Sequence, residues 1–172
     1  MKRWALAIGL VATALCAAVA TGAPGGSAVA LCEQAMIGHG SADWRSDSVV
    51  AGPAGVRRPP LNQMSRSAKG LVTKMPILVE GREPQRVTVS VPPSLRGRVF
   101  LYYGRPTTFA YDPGFAEVQF QLCGNKPRTV WPGGIRIKGT APVRLNVFTE
   151  DRTEPFVLRL GKPQVYEPPT SG

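Results

Sequence analysis

The sequence has few of the residues that catalytic sites most often require. Its 172 residues include a single histidine, His39, which lies between two glycines in a segment without hydrophobic periodicity. A Ser-His-Asp triad needs a histidine that is held rigidly beside its nucleophile. The strings Gly-x-Ser-x-Gly and His-Glu-x-x-His and the phosphate-binding glycine loop are all absent. We therefore predict no catalytic residue, and no motif assigns an activity.

Metal ligands are equally scarce. A structural zinc ion takes four ligands, mostly cysteine and histidine, whereas the chain has three cysteines and His39. One of these cysteines, Cys16, lies in the N-terminal hydrophobic run. The sequence therefore predicts neither a metal site nor a cofactor.

The longest hydrophobic run stands at the start of the chain. Lys2 and Arg3 precede an apolar run from Trp4 to Ala20, and small residues follow in Ala18-Val19-Ala20 and Ala28-Val29-Ala30. This layout is typical of an export signal with small-residue cleavage sites. The run has about 17 residues, short of the roughly 20 that a spanning helix needs, so cleavage is favoured over an uncleaved anchor with a cytoplasmic N-terminus. Both outcomes predict a secreted or envelope protein outside the cytoplasm.

Cleavage after Ala20 or Ala30 leaves two cysteines, Cys32 and Cys123. Two thiols in an oxidising compartment usually pair, and a bridge here would close a long loop. The alternative is that one or both thiols are buried and free.

Acidic residues are outnumbered, with 11 Asp and Glu against 21 Lys and Arg and a formal net charge of +10. A strongly cationic exterior implies anionic neighbours. Outside a cell these are wall polymers, acidic lipid surfaces or acidic envelope proteins rather than nucleic acid.

Amphipathic helical stripes are also missing beyond the signal, whereas 19 glycines and 17 prolines punctuate short apolar runs. The clearest period of two is Arg86 to Val91. We predict an all-β fold, a single immunoglobulin-like β-sandwich of seven or eight short strands that follows a signal or anchor helix. The predicted boundaries are residues 1–30 for the signal and its small-residue lead, 31–43 for a flexible lead-in, 44–163 for the sandwich and 164–172 for a disordered tail. Within the sandwich, Gly55 to Lys69 is predicted to be an exposed loop.

Alternation along the last strands suggests a basic face. If the apolar residues of these strands point inward, Arg136, Lys138, Arg144 and Arg159 point outward. Neighbouring strands would then present one patch that holds an anionic polymer or surface. The alternative is a solvated face whose charges discourage edge-to-edge pairing.

Two other classes of function remain open. An envelope hydrolase could use a carboxylate pair, for which the candidates are Glu80 with Glu83, and Glu150 with Asp151. A module that binds a protein partner could use a hydrophobic strand edge or the face that carries Tyr102.

Several short strings resemble a loose group of small actinobacterial exported or membrane-tethered proteins that have no assigned activity. They are Asp43-Trp44-Arg45 with Val49 to Pro53, Val87 to Val91 with Pro92, and Phe120 to Cys123 with Trp131 to Gly134. The resemblance implies an exported domain but no catalytic or ligand residue. It also implies a further cysteine where this chain has Val143, which leaves Cys32 as the exported partner for Cys123.

Overall fold

Short strands bounded by glycine and proline make up most of the computed structural model, which describes residues 25–36, 44–81, 83, 85–104, 114–124 and 127–167. Two 3-10 turns, Cys32–Gln34 and Pro93–Leu95, interrupt them. The strands are β1 (Ser27–Ala30), β2 (Ser48–Ala51), β3 (Ala54–Arg57), β4 (Ser65–Ser67), β5 (Gly70–Lys74), β6 (Ile77–Glu80), β7 (Arg86–Ser90), β8 (Val99–Tyr103), β9 (Glu117–Gln121), β10 (Arg128–Trp131), β11 (Gly133–Ile137), β12 (Val143–Thr149) and β13 (Phe156–Gly161).

These strands form three sheets that enclose one core. The sheet orders are β1-β9-β7-β12-β13, β10-β6-β3-β2 and β4-β5-β11-β8. The β13 edge of the five-stranded sheet packs beside β2, and its β1 edge packs beside β8. The prediction of an all-β sandwich is confirmed.

The described residues contain thirteen strands rather than the predicted seven or eight. Part of the excess comes from two strands that bend and change sheets at prolines. Pro76 separates β5 from β6, and Pro132 separates β10 from β11. Because proline has no N–H to give to a ladder, each long run is divided at a corner between two sheets.

Three aromatic rings fill the centre of the core. Phe120 meets Tyr103 and Trp131 edge to face, with ring centroids 5.5 and 5.0 Å apart. The Tyr103 hydroxyl donates to the carbonyl oxygen of Met75 at 2.5 Å, and burial raises the pKa of that hydroxyl. A Cβ at Gly133 would collide with the Tyr103 ring, so the ring packs on a residue without a side chain.

The fold extends beyond the predicted domain at both ends. β1 pairs in parallel with β9 through Ser27 to Ala30, and Ala30 is fully buried. At the other end, the Gln164 N–H donates to the Leu61 oxygen at 2.8 Å, and Val165 packs against the core. Neither segment has the period-two pattern of a long strand, because each contributes only one or two residues to the interior.

The predicted loop from Gly55 to Lys69 is also structured. It contains most of β3 and all of β4, and Leu61 and Met64 between them are buried in the core. The sparse apolar residues of this segment are therefore anchors, which composition alone does not distinguish from a solvated loop.

The predicted signal or anchor run, Trp4 to Ala20, lies outside the described residues, as does His39. Among the residues that are described, no helix is long and apolar enough to cross a membrane.

Candidate anion-binding site

The four residues of the predicted basic face do not share a sheet. Arg136 and Lys138 belong to the β11 region, in the sheet of β4, β5 and β8, whereas Arg144 and Arg159 lie in the five-stranded sheet. The assumption that the three last strands are neighbours is therefore wrong. Strand order depends on long-range pairing, which alternation within each strand does not encode.

Arg136, one of the four residues of the predicted basic face, is buried rather than exposed. Its side chain is 1% exposed, and its guanidinium lies 4.7 Å from the Phe100 ring centroid and 5.5 Å from that of Tyr102. Arg136 is the register partner of Phe100 on β8, so the two rings cover the outward side of β11. The alternation correctly predicts that Arg136 lies on the outward side of β11. The rings of Phe100 and Tyr102 cover that side, so Arg136 is buried.

Arg144 and Arg159 are brought together as predicted. They are register partners on the antiparallel strands β12 and β13, and both are exposed. Their neighbours Leu145 and Leu158 are fully buried, so the arginines point to the outer face. Like charges that stand directly opposite each other destabilise a strand pair, by up to roughly 1 kcal/mol.

No carboxylate relieves this repulsion within the part of the chain that the structure describes. Neither Arg144 nor Arg159 forms an ion pair with a described acidic residue. The two arginines border a hollow of about 450 Å³ whose described lining includes Ser94, Leu95 and Pro142 but no Asp or Glu. The hollow is therefore a positively charged concavity with a hydroxyl at its wall.

The 3-10 turn beside this hollow adds further cations. Arg96 and Arg98 follow Ser94 and Leu95, both are exposed, and the Arg98 N–H donates to the Leu95 oxygen at 3.1 Å. Lys138 is also exposed, and its N–H donates to the Arg98 oxygen at 2.7 Å. We call the five cations Lys138, Arg98, Arg96, Arg144 and Arg159 the basic surface. Arg96 and Arg98 were not predicted, because only the pairing of β8 with β11 places them beside Lys138.

Three of the four carboxylates in the predicted pairs fall in a different cleft, of about 580 Å³. Glu80, Glu150 and Asp151 line it together with Arg45 and Arg86, whereas Glu83 is exposed and does not line it. Glu150 and Asp151 therefore line the cleft together, whereas Glu80 and Glu83 do not. The structure instead brings Glu80 to the same cleft as Glu150 and Asp151.

Two carboxylates of this cleft, Glu80 and Asp151, have lowered pKa values. Burial alone would raise the pKa of Glu80, but hydrogen bonds from Arg45 and Trp44 and the charges of Arg45 and Arg128 lower it overall. The Trp44 indole donates to Glu80 Oε1 at 2.9 Å, and Arg45 forms an ion pair with Oε2. The pKa of Asp151 is also lowered, by hydrogen bonds from the Thr149 side chain and its own backbone. A glycosidase acid needs the opposite, a raised pKa.

A second cation-rich concavity, of about 740 Å³, was not predicted. Arg57, Arg58 and Lys74 line it with polar side chains that include Asn62, Gln63 and Thr73, and no described acidic residue lines it. We call it the Arg57–Lys74 groove. Its sequence signal is the pair Arg57-Arg58, which lies within the predicted exposed loop from Gly55 to Lys69.

The predicted partner surface at Tyr102 is wrong, because Tyr102 is 1% exposed. Its ring packs over Arg136 rather than facing a partner.

The prediction of a disulfide is confirmed. Cys32 and Cys123 are bonded, with Cα atoms 5.2 Å apart. The bond joins the first 3-10 turn to the segment after β9.

No protein-family model, curated protein or solved structure matches this chain. Within the described ranges, no group of three His, Cys, Asp or Glu residues is placed to hold a metal ion.

Proposed function

We propose that this chain is an extracytoplasmic, non-enzymatic module that binds an anionic polymer of the cell envelope through its basic surface. The observation that carries the proposal is the exposed cross-strand pair Arg144 and Arg159, which borders a hollow that no described carboxylate lines. A repulsive pair without a described counter-ion lowers the stability of β12–β13, and a bound anion would offset that cost.

Guanidinium chemistry supports discrete anionic groups as the ligand. Each guanidinium presents a planar fork of N–H donors that matches a carboxylate or a phosphate in two hydrogen bonds. Two forks on adjacent strands, with the Ser94 hydroxyl nearby, fit successive charged groups on a polymer. A flat lipid surface would favour a wide exposed apolar rim instead, and Val157 is the exposed large apolar residue described on these strands.

Separate observations support the extracytoplasmic location that we propose. Lys2, Arg3 and the apolar run to Ala20 have the layout of an export signal, and a disulfide persists best in an oxidising compartment. The formal net charge of +10 becomes +8 when Lys2 and Arg3 are removed with the signal, and this charge still favours association with an anionic envelope.

The proposal is tested by binding to sodium polygalacturonate and to inorganic polyphosphate at low and high salt. The variant Arg144→Gln/Arg159→Gln should bind at least one of the two polymers about 30-fold more weakly at low salt, on the basis of roughly 1 kcal/mol per exposed cation. High salt should abolish wild-type binding, because exposed charges are screened.

The matched control is Arg86→Gln/Arg152→Gln, which removes the same charge from beside carboxylates. Arg86 lines the Glu80 cleft, and Arg152 neighbours Asp151. Equal loss in both variants would show that only net charge matters and would contradict the proposal. Preference for phosphatidylglycerol vesicles over both polymers would reassign the surface to lipid.

A further inference from the structure

The Arg57–Lys74 groove is formed where strand ends from two sheets meet. Arg57 ends β3, Arg58 follows it, and Lys74 ends β5, which belongs to a different sheet. All three side chains are exposed, and none forms an ion pair with a described carboxylate. Three cations thus converge from two sheets on one concavity, where mutual repulsion disfavours them without an anionic ligand.

The walls of the groove are fixed to the core rather than formed by a loose loop. Leu61 and Met64 are buried, and the Met64 N–H donates to the Gln164 oxygen at 3.0 Å. At the floor, the Met75 N–H donates to Gly133 at 2.9 Å, and the Met75 oxygen accepts from the Tyr103 hydroxyl. A site that is rigid before binding loses little entropy when a ligand enters.

The lining combines three kinds of group. Arg57, Arg58 and Lys74 provide positive charge, and Asn62 and Gln63 provide amide donors and acceptors. Prolines and the Met75 region provide apolar surface. A sugar unit with an acidic substituent presents the matching set, namely a charged group, several hydroxyls and an apolar C–H face. A bare phosphate chain would accept from the amide N–H groups, but it has no hydroxyl to donate to the amide oxygens and no C–H face for the apolar surface.

We infer that the Arg57–Lys74 groove binds an acidic saccharide. The volume of about 740 Å³ lies within the range of small-molecule sites, so the groove accommodates a short oligosaccharide. The inference rests on the proposed function, because it names the chemical class of the polymer that the basic surface also contacts.

The two sites are close along the chain. Arg159 precedes Gln164 by five residues, which span at most about 18 Å. Gln164 is hydrogen-bonded to Leu61 and Met64, whose chain neighbours Pro60 and Gln63 line the groove. The exposed Lys162 lies between them. A polymer that spans this distance could contact both sites, and the second contact would then gain from high effective concentration.

The test uses trigalacturonic acid as the probe, with its trimethyl ester and tripolyphosphate as comparisons, measured by calorimetry on the full exported chain. Wild type should bind the trimer in preference to both comparison probes. Arg57→Gln/Arg58→Gln/Lys74→Gln should bind the trimer at least about tenfold more weakly, because charge-assisted hydrogen bonds are lost. Arg86→Gln/Arg152→Gln, which removes charge from beside the carboxylates of the Glu80 cleft, should retain binding of the trimer.

A second readout does not depend on the triple variant folding. In amide NMR spectra of wild type, the trimer should shift the side-chain signals of Asn62 and Gln63 more than those of Asn146 on β12. The inference is overturned by trimer binding that the triple variant retains, by equal binding of the ester or tripolyphosphate, or by no binding to wild type. Each of these results leaves the proposed function to be judged separately by polymer binding to Arg144→Gln/Arg159→Gln.

Discussion

At the scale of single residues, Arg136 shows how a cation becomes part of a core. Its guanidinium lies between Phe100 and Tyr102 and is almost fully buried. Substitution of Arg136 by Ala should lower the free energy of unfolding by roughly 2–5 kcal/mol, because packing and cation–π contacts are lost together. Denaturant unfolding measures this effect, and Arg159→Ala is the exposed control, which should raise the free energy of unfolding by up to about 1 kcal/mol because its repulsion with Arg144 is relieved. Equal midpoints for the two variants would contradict the structural role of Arg136.

Glu80 gives a residue-scale prediction that depends on pH. Its folded-state pKa lies below the usual value of 4.5, so its stabilising contribution is present above that value and is lost as the pH falls through the folded pKa. Glu80→Gln should therefore be less stable than wild type by roughly 1 kcal/mol at neutral pH. The difference should shrink below pH 4.5. A stability difference that grows on acidification would show that burial, rather than the contacts with Arg45 and Trp44, dominates the pKa of Glu80.

At the scale of elements, β1 makes one of the two candidate cleavage sites incompatible with the fold. Cleavage after Ala30 would remove all of β1 and the buried Ala30 side chain, whereas cleavage after Ala20 leaves the strand intact. If the N-terminal run is a cleaved signal rather than an anchor, we expect the mature protein to begin at Thr21, and an intact-mass measurement of the product tests this. A start at Leu31 would mean that the β1–β9 pairing is absent from the mature protein.

The disulfide fastens the same N-terminal segment to the sheet. Cys32 and Cys123 are 91 residues apart in sequence, so their bond removes up to about 4–5 kcal/mol of loop entropy from the unfolded chain in the chain-entropy model. Cys32→Ser/Cys123→Ser should lower the free energy of unfolding by up to this amount. A reductant should lower the free energy of unfolding of the wild type to that of the variant. Unfolding that neither change affects would contradict this role.

Particular elements also show what the sequence could and could not predict. The alternation in Arg86 to Val91 and Val143 to Val147 identified strands and their inward faces, because both strands have one face on the core. It could not identify which strands are neighbours, so Arg136 was grouped with Arg144. The Arg57–Lys74 groove was missed for the same reason, since it depends on two sheets meeting at their strand ends.

At the scale of the whole molecule, the β12–β13 hairpin separates charges of opposite sign. Arg144 and Arg159 lie at its open end, whereas Glu150, Asp151 and Glu154 lie at its turn. Six residues separate Arg144 from Glu150, or about 20 Å along the strand. The distance exceeds the Debye length of about 8 Å at physiological salt, so the acids screen the arginines only weakly. A polyanion should approach the open end of the hairpin.

The most direct test of this account is the salt dependence of binding to sodium polygalacturonate, measured for wild type and Arg144→Gln/Arg159→Gln. Each lost cation–anion contact reduces the number of counter-ions released on binding. The account predicts that the slope of log affinity against log salt becomes shallower by about 1–2 in the variant. An unchanged slope would contradict it, because Arg144 and Arg159 would then make no contact with the polymer.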